Sequence, residues 1–390
     1  MYRIGKWASG SLRHSKNLMM QHGSDILIIG GGVIGLSTAF RLAEQGVSVT
    51  VVDRQRVGTE ASWAGAGMLP PGVSATAATP EARLRSYSYE MWEQFSTQLK
   101  ELSGIDNGYR KCGAVEVGLD GAAVDLQIKQ WQREGLCCDP LDRVALERHV
   151  PGLHQQFQYG AFLPEFAQVR NPRHLKALTT ACQSMGVEIL EDVGHVSICA
   201  QGRAVEVTTP LRRFGAERVC LTAGSWTGQI LKPLGVELPV APVRGQIAQL
   251  RVSRLPFSCV IEQGRRYMVP RADGLILVGS TEEHVGFEKR NTAEGVSGLL
   301  GFAESIVPEL GAAEVVRCWS GLRPGSPDEL PFLGRTPGYD NVFVGAGHFR
   351  SGLQMSPATA SILADLMLDR TPAINLDGLD LTRITNPLLA

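Results

Sequence analysis

The chain has 390 residues with 38 Lys and Arg against 39 Asp and Glu, a formal net charge of −1, and that length predicts two lobes rather than one small stapled scaffold. With 44% hydrophobic and 20% charged residues it is neither disordered nor fibrous, and the balanced charge leaves no basic footprint for nucleic acid. A small-molecule partner is expected, and 44 glycines, well above the usual fraction of about 7%, ask where the backbone needs room.

Residues 1–23 read as a disordered leader. They carry Arg3, Lys6, Arg13 and Lys16 without an acid, but no continuous apolar run with a small-residue cleavage site, so they are not a secretory signal. An over-long start is preferred to an organelle transit peptide, because Met19 and Met20 precede a credible first strand. The longest apolar stretch, residues 26–40, falls short of the roughly 18 residues needed to cross a bilayer. A cytoplasmic protein without a membrane span is predicted.

Asp25-Ile26-Leu27-Ile28-Ile29 has the β-branched composition of a strand buried on both faces, and it runs directly into Gly30-Gly31-Gly32-Val33-Ile34-Gly35. Leu36, Ala39, Phe40 and Ala43 then recur at helical spacing, Gly46 ends the helix, and residues 47–52 read as a second strand closed by Asp53. This is a G-x-G-x-x-G fingerprint in strand–helix–strand context. Gly30 permits the tight turn, Gly32 lets the backbone approach a pyrophosphate, and Gly35 lets helix and strand pack closely. The helix N-terminus favours phosphate, and Asp53 can accept hydrogen bonds from a ribose. An adenine dinucleotide is expected, with a glycine-rich turn of an unrelated α/β protein as the rival. The next run, Glu60-Ala61-Ser62-Trp63-Ala64-Gly65-Ala66-Gly67-Met68, is small and permissive, suited to a longer ligand such as a flavin dinucleotide.

Further along, Asn171-Pro172 reads as a helix start, residues 187–193 and 204–207 as strands around Val193, and Leu221-Thr222-Ala223-Gly224-Ser225-Trp226 as another glycine-bearing turn. Strand-like runs follow at 247–252, 267–270 and 275–279. Tyr267 lies in an alternating stretch that would point it to one sheet face. Gly321-Leu322-Arg323-Pro324-Gly325 sets one arginine between rigid and permissive backbone, as a fixed carboxylate receptor requires. Residues 341–344 read as a strand entering Gly345-Ala346-Gly347, and residues 357–368 as the following helix, starting near Ser356 and Pro357. Eight cysteines contain no C-x-x-C pair and no zinc spacing, so no metal is expected.

The runs Glu60-Ala61-Ser62-Trp63-Ala64-Gly65-Ala66-Gly67-Met68-Leu69, Arg266-Tyr267-Met268-Val269-Pro270-Arg271, Gly321-Leu322-Arg323-Pro324-Gly325 and Gly345-Ala346-Gly347-His348-Phe349-Arg350-Ser351-Gly352 together resemble the D-amino-acid oxidase superfamily of FAD-dependent oxidoreductases, and within it the glycine oxidases of the thiamine pathway. The resemblance covers residues 24–370 or so. It implies an α/β fold with a discontinuous Rossmann-like FAD-binding domain of the GR2 type and a mixed-sheet α+β substrate domain. It implies non-covalent FAD at Gly30, Gly32, Val33, Ile34, Gly35, Asp53, Arg54, Ala61, Ser62, Ala66, Gly67, Met68 and Val193, with His348, Phe349, Arg350, Ser351, Gly352, Leu353 and Gln354 along the isoalloxazine. Arg323 and Tyr267 would hold the substrate carboxylate, with Arg350 beside them. No residue is needed as an acid or base, since a neutral amine can give up hydride from Cα directly; His348 is read as a cofactor-contacting or structural residue.

The activity implied is oxidative deamination of glycine, sarcosine or D-alanine to an imine or 2-oxo acid, with ammonia and, through dioxygen, hydrogen peroxide. A D-amino-acid or sarcosine-type oxidase or dehydrogenase is the alternative, and a non-catalytic flavin-binding protein is the alternative of another class. The family pattern has a second pocket tyrosine five residues before Tyr267; here that residue is Glu262, which leaves the substrate range open. The FAD-binding domain is expected to comprise 24–86, 166–240 and 321–380, and the substrate domain 87–165 and 241–320. A homo-oligomer, dimer or tetramer, is implied only by the resemblance.

Overall fold

The structure, a computed structural model, describes residues 20–22, 24–73, 79–201 and 204–385. Its first lobe is built around the strand Ile26–Ile29, whose four residues are all buried. A strand without a polar face needs cover on both sides, and it has it. Five parallel strands run in the order Glu188–Leu190, Val49–Val52, Ile26–Ile29, Arg218–Leu221, Val342–Ala346, and an antiparallel Phe332–Arg335 closes the edge. Ile26 and Ile28 face the helices Val33–Ala43, Asn171–Ser184 and Gly352–Met367 through Leu36, Phe40, Leu178 and Leu363. Leu27 and Ile29 face the other way, onto Val205, Val207 and Phe214 of a small four-stranded sheet.

That small sheet includes Met20–His22, inside the span expected to be a leader, paired parallel to Arg213–Ala216 with Met20 opposite Arg213. The rest of that span lies outside the described residues.

The second lobe carries an eight-stranded mixed sheet in the order Glu314–Gly325, Ala241–Arg251, Leu275–Gly279, Arg266–Pro270, Val260–Gln263, Ala114–Gly118, Tyr159–Leu163, Asp139–Asp142. All neighbours are antiparallel except Val260–Gln263 with Ala114–Gly118. One face is sealed by the helix Ala293–Ile306, where Leu299, Phe302 and Ile306 pack on Val115, Ile261, Met268 and Val278. The opposite face turns toward the first lobe.

Two expected domain boundaries fall inside continuous elements. Residue 86 lies within the helix Pro80–Ser103, capped by Thr79, whose hydroxyl accepts the Ala82 N–H, and closed by left-handed Gly104. Trp92, Phe95 and Leu99 of that helix share one core with Leu36 and Phe40, so the helix belongs to the nucleotide-binding side. Residue 321 likewise lies within Glu314–Gly325, which stays paired to Ala241–Arg251 along its length. Hydrophobic periodicity locates such elements but not the neighbour they bury against.

Candidate active site

The glycine turn is locked before any ligand is considered. Gly30 takes φ +108°, and the Asp53 carboxylate accepts the N–H groups of Gly31 (2.7 Å) and Gln55 (3.0 Å). Burial raises the Asp53 pKa, opposed by those two bonds and by Arg54. The helix Val33–Ala43 starts at Gly32, which has no side chain to cap it. Ser62 Oγ instead accepts the Val33 N–H at 2.9 Å, while Asn171 Nδ2 donates to the Ser62 carbonyl at 2.7 Å and fixes that loop.

From the other end of the chain, the strand Val342–Ala346 leads through His348 and Phe349 into the helix Gly352–Met367. The helix begins earlier than the expected start near Ser356 and Pro357. Pro357 sits inside it and lacks the N–H for the Leu353 carbonyl; Ser356 Oγ donates to that carbonyl instead, at 2.8 Å. The Phe349 N–H donates to the Pro324 carbonyl at 2.9 Å and ties this loop to the Arg323 strand. His348 is buried with Nε2 3.0 Å from Thr359 Oγ1, and burial lowers its pKa to about 3. A ring this weakly basic stays neutral and is no proton acceptor near pH 7.

One cavity of about 490 Å³ joins these pieces, inside the range of roughly 300–1,000 Å³ typical of small-molecule sites. Gly32, Val33 and Ile34 border it at the start of one helix, and Gly352, Leu353 and Gln354 at the start of another. Two positive helix ends thus open on one elongated space, which suits a ligand carrying phosphates and a second electron-rich group. Gly30, Asp53, Arg54, Ala61, Ser62, Ala66, Gly67 and Met68 also border it, as do His348, Phe349, Arg350 and Ser351. Gly35 and Val193 do not. Gly35 packs against the Gly30 carbonyl, and Val193 is a core residue whose N–H holds the Asp53 carbonyl while Gly194 to Val196 reach the cavity.

The far end is chemically different. Tyr267 is buried beside Arg323, whose Nη2 donates to Ser280 Oγ (2.6 Å) and Nη1 to the Thr281 carbonyl (3.1 Å). Burial lowers the Arg323 pKa, opposed by Tyr267. Among the described residues no carboxylate lies within ion-pair distance of it. A half-buried guanidinium held by neutral acceptors and facing a cavity suits an anion. Arg350 borders the same cavity but is already engaged, by Glu282 Oε2 at 3.0 Å and the Arg265 carbonyl at 2.8 Å.

Sequence reasoning named Arg54 but not its Trp226 partner, and gave no site role to Arg271 or Glu116. Arg54 lies over the Trp226 ring at 3.6 Å, forming one wall. Arg271 is buried and donates to Gln168 Oε1 (2.7 Å), the Val169 carbonyl (3.0 Å) and the Ala66 carbonyl (2.6 Å), anchoring the Ala66–Gly67 segment; burial lowers its pKa to about 10. Glu116, on the strand beside Glu262, carried no sequence signal at all.

Comparison with known proteins agrees with the motif resemblance. The family of FAD dependent oxidoreductases designated DAO matches residues 25–366. A glycine oxidase of Pseudomonas aeruginosa is 38% identical over 357 residues, covering 90% of this chain and 96% of that protein. The bifunctional protein ThiO/ThiG of Synechocystis is 36% identical over 90% of this chain, which spans 52% of that longer protein. The crystal structure of glycine oxidase from Geobacillus kaustophilus superposes with a TM-score of 0.89 at 30% identity, covering 93% of this chain and 99% of that one.

Proposed function

Because the chain belongs to the DAO family of FAD-dependent oxidoreductases, we propose that it oxidises glycine and other small amino acids or amines such as sarcosine and D-alanine. The observation that carries this reading is Arg323, a half-buried cation facing the cavity with no carboxylate partner among the described residues. Bound FAD supplies the two-electron acceptor. The two helix starts and the Ala61–Met68 run fit its phosphates and ring, and no cysteine borders the cavity, which supports non-covalent binding.

Arg323 and Tyr267 grip the substrate carboxylate and orient Cα, so positioning supplies the rate. His348, neutral and bonded to Thr359, takes no proton. The substrate loses its Cα–H and one N–H as two electrons and two protons. Water converts the imine to a 2-oxo acid and ammonia, and dioxygen takes two electrons and two protons to become hydrogen peroxide. The likeness to a ThiO/ThiG protein supports a place in thiamine (thiazole) biosynthesis.

Within this reading the six- and four-stranded sheets with their helices form the cofactor lobe, and the eight-stranded sheet the substrate lobe. The protein acts in the cytoplasm as a homo-oligomer, dimer or tetramer. Glu262 favours keeping a sarcosine- or D-amino-acid-preferring oxidase as the second reading, because it replaces an aromatic wall with a carboxyl group. Peroxide release by the purified flavoprotein with glycine, sarcosine and D-alanine tests both. Turnover of at least one is expected, and absence of flavin reduction by any amine would favour a non-catalytic flavin-binding protein.

A further inference from the structure

Strand register places Glu116, Glu262 and Tyr267 side by side in one row. Glu262 pairs with Glu116 across the parallel strands and with Tyr267 across the antiparallel turn, and Tyr267 pairs in turn with Gly279. Directly paired residues point to the same face, here the cavity face, since Val115 and Ile261 beside them are buried on the other. Glu262 borders the cavity with Tyr267 and Arg323. Among the described residues it makes no hydrogen bond or ion pair. Glu116 behind it has one bond, accepted from the Gly264 N–H at 2.9 Å.

The titratable and charged groups that face Glu262 are Glu116, Tyr267, Arg350 from the loop before the last long helix, and Arg85 from the helix Pro80–Ser103. Both arginines favour the charged form of Glu262 in part, but each is also ion-paired elsewhere, Arg350 with Glu282 and Arg85 with Glu81. Burial, reinforced by Glu116, pushes the Glu262 carboxyl up to about 8, and burial pushes Glu116 up to about 7. Both carboxyls therefore titrate around neutral pH, Glu262 after Glu116 because its neighbour's charge opposes its own.

Resting on the amino-acid oxidase reading, we infer that Glu262, backed by Glu116, is a specificity-determining residue: it accepts the substrate's amine and rejects a second carboxylate on a ligand already anchored at Arg323. An N–H donor reaching past Arg323 meets an unpartnered acceptor. A second carboxylate meets two carboxyl groups whose neighbouring cations are shared with other acids, and once that pair ionises the like charges in a partly dry site repel. Discrimination of this kind comes from the repulsive element as much as from the attractive one. As the pair ionises, the chemistry increasingly selects monocarboxylate amino acids over iminodiacetate-like diacids.

The test measures acetate and malonate binding to the FAD-loaded protein by titration calorimetry at pH 6.5 and pH 9. In the unmodified protein the malonate-to-acetate affinity ratio should fall at least tenfold between those pH values as the carboxyl pair ionises. In Glu262→Gln the ratio should be flat and higher at pH 9. Glu116→Gln should keep the fall but move it to lower pH, by relieving Glu262 of its neighbour's charge; it serves as the test should Glu262→Gln fail to fold. An equal fall in Glu262→Gln, no fall in the unmodified protein, or a Glu116→Gln curve that does not move would each overturn the inference. Lack of glycine-dependent peroxide from the unmodified protein would instead strike the functional reading, while the binding ratio still reports on Glu262.

Discussion

Gly245 lies directly beneath the Arg323 guanidinium, so a Cβ at this position would collide with Cζ and both terminal nitrogens of that side chain. The two strands are paired, with Val243 opposite Arg323, and the arginine reaches across Gly245 toward Ser280. Gly245→Ala should therefore push the guanidinium off its seat without touching the cofactor end. The expected result is a KM for glycine raised about tenfold, roughly 1.4 kcal/mol, with FAD content unchanged, read from steady-state kinetics and the flavin-to-protein absorbance ratio.

Removing the cation itself should cost more. Arg323→Ala deletes the charge-assisted contacts to the substrate carboxylate, worth about 2–3 kcal/mol, so KM for glycine should rise roughly 100-fold while FAD stays bound. Unchanged steady-state kinetics in this variant would remove the proposed role. Arg323→Lys should recover little, because a point charge lacks the planar fork.

At the other end of the cavity, Asp53→Asn leaves one of the two N–H groups now bonded to the carboxylate without its acceptor. The turn should loosen and FAD affinity should fall about tenfold, a loss of about 1–2 kcal/mol. Titration of the apoprotein with FAD, followed by flavin fluorescence, measures it.

Arg271→Met should act on stability before chemistry. It strands three buried acceptors, Gln168 Oε1 and the carbonyls of Val169 and Ala66. A loss of about 3 kcal/mol is expected, visible as a lower Tm, together with weaker FAD retention because the Ala66–Gly67 segment loses its anchor.

The buried histidines and the Glu116–Glu262 pair pull the stability curve in opposite directions on its acid side. Burial lowers both His348 and His174 to about 3, below the unfolded value of about 6.5. Their contribution is fully present above about pH 6.5. As pH falls below that, the unfolded chain binds protons that the folded chain refuses, and stability is lost at about 1.4 kcal/mol per pH unit for each histidine until about pH 3. Glu116 and Glu262 have the opposite sign: raised above the ordinary carboxylate value, they favour the folded state below about pH 4.5 and lose that contribution as pH rises through 7 to 8. His174 packs against Trp92 and Phe95 and its Nε2 has no partner among the described residues, so the Tm of His174→Leu relative to the unmodified protein should rise as pH falls from 6.5 to 5, whatever the opposing glutamates contribute to both.

What was legible in the sequence was local. The strand Ile26–Ile29, the glycine turn and the helix Val33–Ala43 follow from composition and spacing within a few residues, and so does the isolated Arg323 between glycines. What was not legible depends on distant partners. The Glu116–Glu262 adjacency arises from a parallel pairing between strands far apart in sequence, which no periodicity announces. The early start of Gly352–Met367 escaped because Pro357 suggests a first helical position, whereas Ser356 makes an interior proline tolerable. The expected boundary at residue 86 cut the helix Pro80–Ser103 because an apolar stripe fits any core and does not say which one it joins.

The cavity wall begins at Ile29 and is not complete until Gln354. A chain emerging from the ribosome can therefore fold its first glycine turn early, yet it has no finished cavity until synthesis has passed Gln354. Cofactor capture in the proposed site would then have to wait for both segments. It draws free energy only from chains in which both distant segments have met, so flavin itself acts as a selective stabiliser of completed molecules over truncated ones.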